Sequence, residues 1–248
     1  MRWPADVPAA AHLFVPSAEQ LTETVDVVGE DGHHLARVLR LRVGETVTVA
    51  DGAGAWRPYE VAQAEPSGTV VLRASGQLGR EPVLTPRLAV AFALTKGEKP
   101  ELAVQKLTEL GVGRIVPVVA ERSISRPDAT KAGALAERWR RIVREAARQC
   151  RRATLPVVEE LAPLQKLAGH PGLVVAERGG RPADALHDPP GGEVLVVIGP
   201  EGGLAAGEAE ALTPWARVDL GPHILRAETA AIAAGALFAA RAARPGRE

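Results

Sequence analysis

Cysteine is almost missing from this chain of 248 residues. The single Cys150 excludes an internal disulfide and a cysteine-based zinc cluster, and it fits a reducing compartment. Aromatic residues are also scarce, at 3%, so the core must be built from Ala, Val and Leu. The first residues, Met1–Asp6, lack the apolar run of a signal peptide, and no stretch reaches the roughly 18–20 apolar residues of a membrane span. These absences predict a soluble, cytoplasmic protein without membrane association.

Lysine is rare as well, because 25 of the 30 basic residues are arginine, and the net charge is zero. The position of the arginines is therefore more informative than their number. Residues 138–152 contain seven arginines and one acid, Glu145. On a helix, Arg141, Arg144, Arg148 and Arg152 fall on one stripe at three- and four-residue spacing. A solvated basic face is the alternative, but arginines without acidic partners repel one another, which favours contact with an RNA or DNA backbone.

A smaller basic cluster near the amino terminus consists of His34, Arg37, Arg40 and Arg42. The neighbouring pair His33-His34 raises the question of a metal site. No further ligands stand nearby in the sequence, so we predict no bound metal.

The chain has two regions that differ in their predicted secondary structure. Residues 12–73 read as short strands with turn signals between them, interrupted by one helix over residues 31–41, which is typical of a small β-barrel. A polar stretch with Gly and Pro follows. We therefore predict a barrel domain over residues 1–74, a linker over 75–86 and a second domain over 87–248.

The second domain alternates buried strands with helices. Strands are predicted at residues 88–94, 114–120, 173–177, 194–199 and 216–220, and helices at 98–110, 132–150, 206–212 and 228–242. Continuous apolar strands of this kind suit a parallel sheet covered on both faces, so the domain is predicted to be α/β. Ligands of such sheets bind beyond the carboxyl ends of the strands.

Two loops follow predicted strands at that edge. The first, Gly199-Pro200-Glu201-Gly202-Gly203, lets the backbone approach a ligand closely and leaves amides free to donate. It lacks the Gly-Lys-Ser/Thr ending of a nucleotide P-loop and does not match G-x-G-x-x-G. A strand-to-helix turn without a ligand is the alternative for this loop.

The second loop, Leu220–Thr229, combines apolar Ile224 and Leu225 with charged Arg226 and Glu228. This mixture suits a pocket for an aromatic ring and polar groups together. For Glu228, simple stabilisation of the helix dipole is an equally good interpretation.

Five stretches in this order resemble one family, the RsmE-type 16S ribosomal RNA uridine-N3 methyltransferases of the SPOUT class. They are His34–Arg40, Val104–Val112 followed by Glu121-Arg122-Ser123, Glu145–Arg152, Ile198–Gly203 and Leu220–Ala230. The resemblance covers both domains. One departure is Pro222-His223, where many relatives have a polar residue and Arg.

The resemblance implies a PUA-like barrel followed by a SPOUT-type parallel sheet with a deep carboxy-terminal trefoil knot. It implies a homodimer that acts on 16S ribosomal RNA of the small ribosomal subunit with S-adenosylmethionine as cofactor. The cofactor would be held by Glu177, Gly199, Pro200, Glu201, Gly202, Gly203, Leu220, Gly221, Ile224, Leu225, Arg226 and Thr229.

Catalysis would involve Arg226, which stabilises developing charge on the uracil, and Glu228 as a weaker candidate for the general base. The residues expected to bind RNA are His34, Arg37, Arg40, Arg122, Arg144, Arg148, Gln149 and Arg152. Two alternatives stay open: a SPOUT enzyme that modifies transfer RNA, for instance at a ribose, and a non-catalytic RNA-binding or assembly protein.

Overall fold

The computed structural model describes residues 3–95, 99–205 and 207–242. The chain divides into two compact units. The first comprises the residues up to Pro82 together with Arg144–Leu155, and the second comprises Val83–Val143 and the chain from Pro156 onward. The predicted boundaries put Arg144–Leu155 in the second domain, whereas the structure groups this segment with the first unit.

The first unit is built on a six-stranded sheet with the order β1-β3-β4-β5-β2, and β6 pairs with β4. Only β1 and β3 run parallel among these strands. Leu13 on β1 and Val25 and Val27 on β2 pack into one hydrophobic cluster with residues of β3, β4 and β5, so both edge strands enclose the same core. The strands are β1 Ala11–Phe14, β2 Thr24–Val27, β3 Thr46–Ala50, β4 Ala55–Ala64, β5 Val70–Ala74 and β6 Gly79–Arg80.

The predicted helix of this unit is present but irregular. It consists of α1, Gly29–His33, followed by a π-helical turn over His34–Val38. Arg40 then adopts a φ of 54°, in the left-handed region, which ends the helix before the predicted Leu41. π-helical turns are rare and frequently lie at functional sites.

Residues Arg144–Leu155 complete the packing of the first unit. Ala147 and Ala153 are buried in a cluster with Phe14, Ala50 and Trp56. His12 on β1 is also buried, and its ring nitrogens hydrogen bond to Thr48 Oγ1 at 2.7 Å and to the carbonyl oxygen of Arg152 at 2.9 Å. This segment is therefore part of the core of the unit, although it lies far away in sequence.

The second unit is built on a seven-stranded sheet with the order β10-β8-β7-β12-β11-β13, and β9 pairs with β8. Every pairing of this sheet is parallel, as predicted. The strands are β7 Arg87–Ala93, β8 Arg114–Val119, β9 Val157–Val158, β10 Ala162–Pro163, β11 Leu173–Pro182, β12 Glu193–Ile198 and β13 Ala216–Asp219.

The described residues of this half of the chain include four α-helices: α2 Lys99–Glu109, α3 Ala129–Cys150, α4 Glu208–Ala211 and α5 Ala227–Ala242. The predicted helix starts at Glu98 and Ala206 lie outside the described residues. α5 packs against both α2 and β7. Trp139 of α3 is buried and meets the ring of Phe92 on β7 with 6.2 Å between the centroids. None of the helices in the described ranges is long and apolar enough to span a membrane.

The strand order determines where the loops of the second unit meet. β11 lies between β12 and β13, so the chain leaves β12, bypasses β11 and returns as β13 at its far side. It then continues into α5, which packs on β7 near the middle of the sheet. This crossing brings three successive connections to one edge. The trefoil knot itself stays a prediction.

Candidate active site

A cavity of about 620 Å³ lies beyond the carboxyl ends of β11, β12 and β13. Its wall is formed by three chain segments: the bulged part of β11 around Glu177, the loop from Gly199 into α4, and the connection from Asp219 to α5. Parallel neighbours end at the same edge, so the fold itself brings these segments together. The volume falls in the range of sites that hold a small molecule or cofactor.

The glycine loop after β12 closes in a turn. The Gly203 N–H donates to the carbonyl oxygen of Pro200 at 2.8 Å, and Gly203 has a φ of 69°, which favours glycine. A Cβ at Gly199 would lie 3.1 Å from the backbone nitrogen of Leu204, closer than most real contacts. Two of the three glycines are thus required by the shape of the turn.

The cavity wall includes most of the residues that we expected to hold a cofactor. Gly202, Arg226 and Thr229 are the expected residues that do not line it. The others do: Glu177, Gly199, Pro200, Glu201, Gly203, Leu220, Gly221, Ile224 and Leu225. Their contact with a cofactor stays a prediction.

Sequence reasoning missed a charged network in the same wall. Arg217 on β13 bridges Glu177 on β11 and Glu210 on α4, the latter at 3.1 Å. The hydrogen bond to Glu177 is the main reason why the pKa of the Arg217 guanidinium is raised. The bridge therefore links β13 to the first two segments of the wall. Nothing in the local sequence indicates it, because its members are brought together only by the sheet.

Asp219 is a second missed residue of the wall. Its carboxylate accepts the N–H of Gly221 at 3.0 Å and of Gly179 at 2.9 Å, and these bonds, Gly221 first, lower its pKa. Asp219 thereby ties the end of β13 to the bulge of β11. A carboxylate at the end of a buried parallel strand was the signal that could have identified it.

The two predicted catalytic residues lie where β13 leads into α5. Arg226 is exposed and is outside the cavity lining. Glu228 is in the first turn of α5, and its Oε2 is buried without a hydrogen-bond partner among the described residues. Their neighbours Leu225 and Ala227 line the cavity, whereas Arg226 and Glu228 do not, and the roles of both residues stay predictions.

The expectation that the arginines of α3 lack acidic partners is wrong for Arg138, Arg140 and Arg148. Arg148 forms an ion pair with Asp31 at 2.9 Å and with Glu145 at 3.2 Å. Arg138 pairs with Glu101 at 2.9 Å, and Arg140 pairs with Glu160. Most of these acids are supplied by other parts of the chain, so the composition of the helix alone could not reveal them.

Other expected RNA-binding residues differ in their surroundings. His34, Arg37, Arg40, Arg144 and Gln149 are exposed. The Arg144 guanidinium also lies 5.4 Å from the centroid of the Phe14 ring, at the distance of a cation–π contact.

Arg152 and Arg122 are engaged within the protein. Arg152 is partly buried, and burial lowers the pKa of its guanidinium. Arg122 donates hydrogen bonds to the carbonyl oxygens of Gly202 and Leu204. The burial of Arg152 and the hydrogen bonds of Arg122 indicate that both arginines have a structural role.

Comparison with known proteins agrees with this architecture. A family model described as an RNA methyltransferase domain matches residues 83–239, and one described as an RNA methyltransferase PUA domain matches residues 29–73. The ribosomal RNA small subunit methyltransferase E of Mycobacterium tuberculosis is 36% identical over 241 residues, covering 92% of this chain and 91% of that protein. The chain belongs to this family. The Bacillus subtilis member is 33% identical over 236 residues, covering 88% of this chain and 91% of that protein.

Solved structures of similar proteins have the same fold. The Neisseria gonorrhoeae enzyme, determined with bound S-adenosylmethionine, superposes with a TM-score of 0.76 at 27% identity and covers 92% of this chain and 96% of its own. A Legionella pneumophila methyltransferase, also solved with this cofactor, gives 0.77 at 28% identity, with 95% and 98% covered. The α/β sheet and the preceding PUA domain are thus properties of the family.

Proposed function

We propose that this chain transfers the methyl group of S-adenosylmethionine to N3 of a uridine in 16S ribosomal RNA of the small ribosomal subunit. The observation that carries the proposal is the cavity at the ends of β11, β12 and β13, in a chain whose relatives are small-subunit ribosomal RNA methyltransferases and bind this cofactor. Because this substrate is ribosomal, we also propose a cytoplasmic location.

The residues of the cavity fit the cofactor chemically. Ile198, Leu220 and Leu225 offer an apolar surface for a purine ring, and the glycine loop offers close backbone approach. Carboxylates of Glu177 and Asp219 line the same cavity and suit hydroxyl groups and a positively charged ligand. When bound, S-adenosylmethionine supplies an activated methyl group on a sulfonium, so no metal is needed to activate it.

The remaining chemistry concerns the uridine. N3 carries a proton and is a poor nucleophile until that proton leaves; the N3–carbon bond then forms as the methyl–sulfur bond breaks. We assign Arg226 to stabilise the negative charge that develops on the uracil oxygens. Glu228 is assigned to accept the N3 proton, because its buried Oε2 has no other donor among the described residues. A positioned base contributes about 10²–10⁴-fold in rate.

RNA binding is assigned first to the exposed residues His34, Arg37, Arg40, Arg144 and Gln149. Arg148 and Arg152 are assigned to shape this surface from within the first unit, since Arg148 is paired with Asp31 and Arg152 is partly buried. We further propose that the protein acts as a homodimer, as the family resemblance implies.

The decisive experiment offers methyl-labelled S-adenosylmethionine with small ribosomal subunits, naked 16S ribosomal RNA and transfer RNA in parallel. We expect label in 16S ribosomal RNA and, after digestion, in N3-methyluridine. Label in transfer RNA or on a ribose would support the other SPOUT activity. Cofactor binding without any transfer would support a non-catalytic RNA-binding protein.

Two variants test the assigned roles. Arg226→Ala should abolish transfer while the Kd for the cofactor stays within about tenfold, because Arg226 acts on the uracil. Glu228→Gln should lower kcat by about 10²-fold or more and leave both binding constants unchanged. Near-normal turnover of either variant would remove that residue from the mechanism.

A further inference from the structure

One internal hydrogen bond, from the Gly203 N–H to the Pro200 carbonyl oxygen at 2.8 Å, closes the turn of the glycine loop. Between Gly199 and Gly203 three of five residues are glycine, and glycine has the largest backbone freedom to lose on ordering. A loop that binds a cofactor tightly must nevertheless be ordered beforehand, because ordering it during binding reduces the affinity. Contacts from outside the loop are therefore expected to add to its order.

Arg122, in the loop after β8, supplies the first contact. Its Nη1 donates to the carbonyl oxygen of Gly202 at 3.0 Å and to that of Leu204 at 3.3 Å. Hydrogen bonds from a charged donor are about twice as strong as those between neutral groups. One guanidinium thus holds two carbonyls of the glycine loop in a single orientation.

Glu208, the first residue of α4, supplies the second contact. Its side chain is among the few buried charged groups of the described residues, and the whole residue is 8% exposed. One carboxylate oxygen accepts the N–H of Ala205 at 2.7 Å, and the other accepts the N–H of Glu121 at 2.8 Å. The carboxylate therefore joins the end of the glycine loop to the backbone of the loop after β8.

The loop after β8 is itself rigid. The buried Ser123 accepts the Ala120 N–H through its Oγ at 2.9 Å. The Arg126 guanidinium donates to the carbonyl oxygens of Ala120 and Glu121, at 3.1 and 2.6 Å. Arg122 and the Glu121 N–H are consequently presented from a fixed base at the end of a buried strand.

We propose that Arg122 and Glu208 are positioning residues that brace the glycine loop for the cofactor. This proposal rests on the proposed function, and it gives Arg122 a different role from the RNA contact that the family resemblance suggested. Neither side chain lines the cavity, so both act through the backbone of residues 202–205. Removing either contact should reduce cofactor affinity while RNA affinity is unaffected.

The test measures cofactor and RNA binding separately in Arg122→Ala and Glu208→Gln. Each variant should weaken S-adenosylmethionine binding by about tenfold, because each loses charged hydrogen bonds to the loop. In steady-state assays the KM for the cofactor should rise, while kcat at saturating cofactor and the KM for 16S ribosomal RNA should stay within about twofold. Hydrogen exchange at the amides of Gly203, Leu204 and Ala205 should become faster without any ligand.

The controls are Arg87→Ala and Glu137→Gln, which neutralise exposed residues of the same unit away from the cavity. If Arg122→Ala binds the cofactor normally and loses RNA affinity, Arg122 contacts RNA and the brace is refuted. Glu208 is buried, so the Glu208→Gln variant could fail to fold. In that case the Arg122→Ala variant, at an exposed residue, still tests the proposal: unchanged hydrogen exchange at the amides of Gly203, Leu204 and Ala205 would refute it. Failure of the wild type to bind S-adenosylmethionine would instead refute the proposed function.

Discussion

Gly202 and Gly203, two neighbours in the glycine loop, differ in whether their backbone can accommodate a Cβ atom. Gly203 has a φ of 69°, whereas Gly202 has an ordinary φ and space for a Cβ, 3.8 Å from Arg122 Cδ. Gly203→Ala should therefore lower the free energy of unfolding by about 1–2 kcal/mol, the cost of a left-handed non-glycine residue. It should also weaken cofactor binding.

Gly202→Ala is the matched control for this prediction. It adds the same methyl group one residue earlier and should leave the free energy of unfolding within about 0.5 kcal/mol. Urea denaturation and cofactor titration of both variants measure the difference. Equal effects of the two substitutions would contradict the argument from backbone conformation.

The buried His12 makes the first unit sensitive to acid. Burial lowers the pKa of its imidazole from 6.5 to about 4. The unfolded chain takes up the proton below pH 6.5 while the folded chain resists it, so stability falls as the pH decreases through this window. At about pH 5 the loss amounts to about 2 kcal/mol, and it is fully present only below the folded pKa.

A neutral replacement isolates this effect. In His12→Gln the side chain no longer titrates, so the difference in free energy of unfolding from the wild type should shrink by about 2 kcal/mol between about pH 7 and pH 5. Urea denaturation at both pH values provides the measurement. A difference that does not change with pH would mean that His12 is not the responsible group.

Helix α5 depends on a close approach to α2. A Cβ at Gly235 of α5 would lie 2.8 Å from Leu107 Cδ2 and 3.3 Å from Leu110 Cδ1. Gly235→Leu should thus separate the helices and cost about 1–3 kcal/mol of stability. Because Ala227 and Ala230 of the same helix line the cavity, cofactor affinity should fall too.

Ala236→Leu is the control, since Ala236 is exposed on the same helix. Substitutions at such surface positions change stability by about 0.5 kcal/mol or less. Thermal unfolding and calorimetric titration with the cofactor would compare the pair. A Gly235→Leu variant as stable as Ala236→Leu would show that the helices can separate without cost.

The regular elements were predictable because their signals are local. The apolar runs of β7, β8 and β12 and the apolar face of α3 indicated their structure, with ends within a few residues of those observed. The two-residue strands β6, β9 and β10 carry no such signal, because each exists only through its pairing with a longer strand.

The cofactor cavity was predictable in part for the same reason. Its glycines indicate a turn after a buried strand. The ion pair of Arg217 with Glu177 and the hydrogen bond of Glu208 with Glu121, however, join residues distant in sequence. The pairing of β11 with β13 brings Arg217 to Glu177, and the contact of α4 with the loop after β8 brings Glu208 to the Glu121 N–H. Local patterns cannot predict such contacts, so some arginines of α3 were wrongly expected to be unpaired.

At the scale of the whole molecule, RNA affinity should depend on exposed arginines more than on their total number. Arg37 and Arg40 follow α1 on the surface of the first unit, beside the exposed His34. Arg148 carries the same charge, but its ion pairs with Asp31 and Glu145 already neutralise it. A phosphate would have to displace a carboxylate in order to bind Arg148, and this lowers the gain from the contact.

Exposed and ion-paired arginines of the first unit should therefore respond differently to substitution. In Arg37→Gln/Arg40→Gln, the slope of log K for 16S ribosomal RNA against log salt should flatten by about 1.5 units, because two phosphate contacts are lost. In Arg148→Gln the slope should stay unchanged, while the midpoint of thermal unfolding falls because Asp31 loses its partner. Filter-binding titrations over a range of salt concentrations measure both slopes. A flatter slope for Arg148→Gln with normal stability would mean that its ion pairs open for RNA, and that Arg148 binds phosphate alongside Arg144 and Gln149.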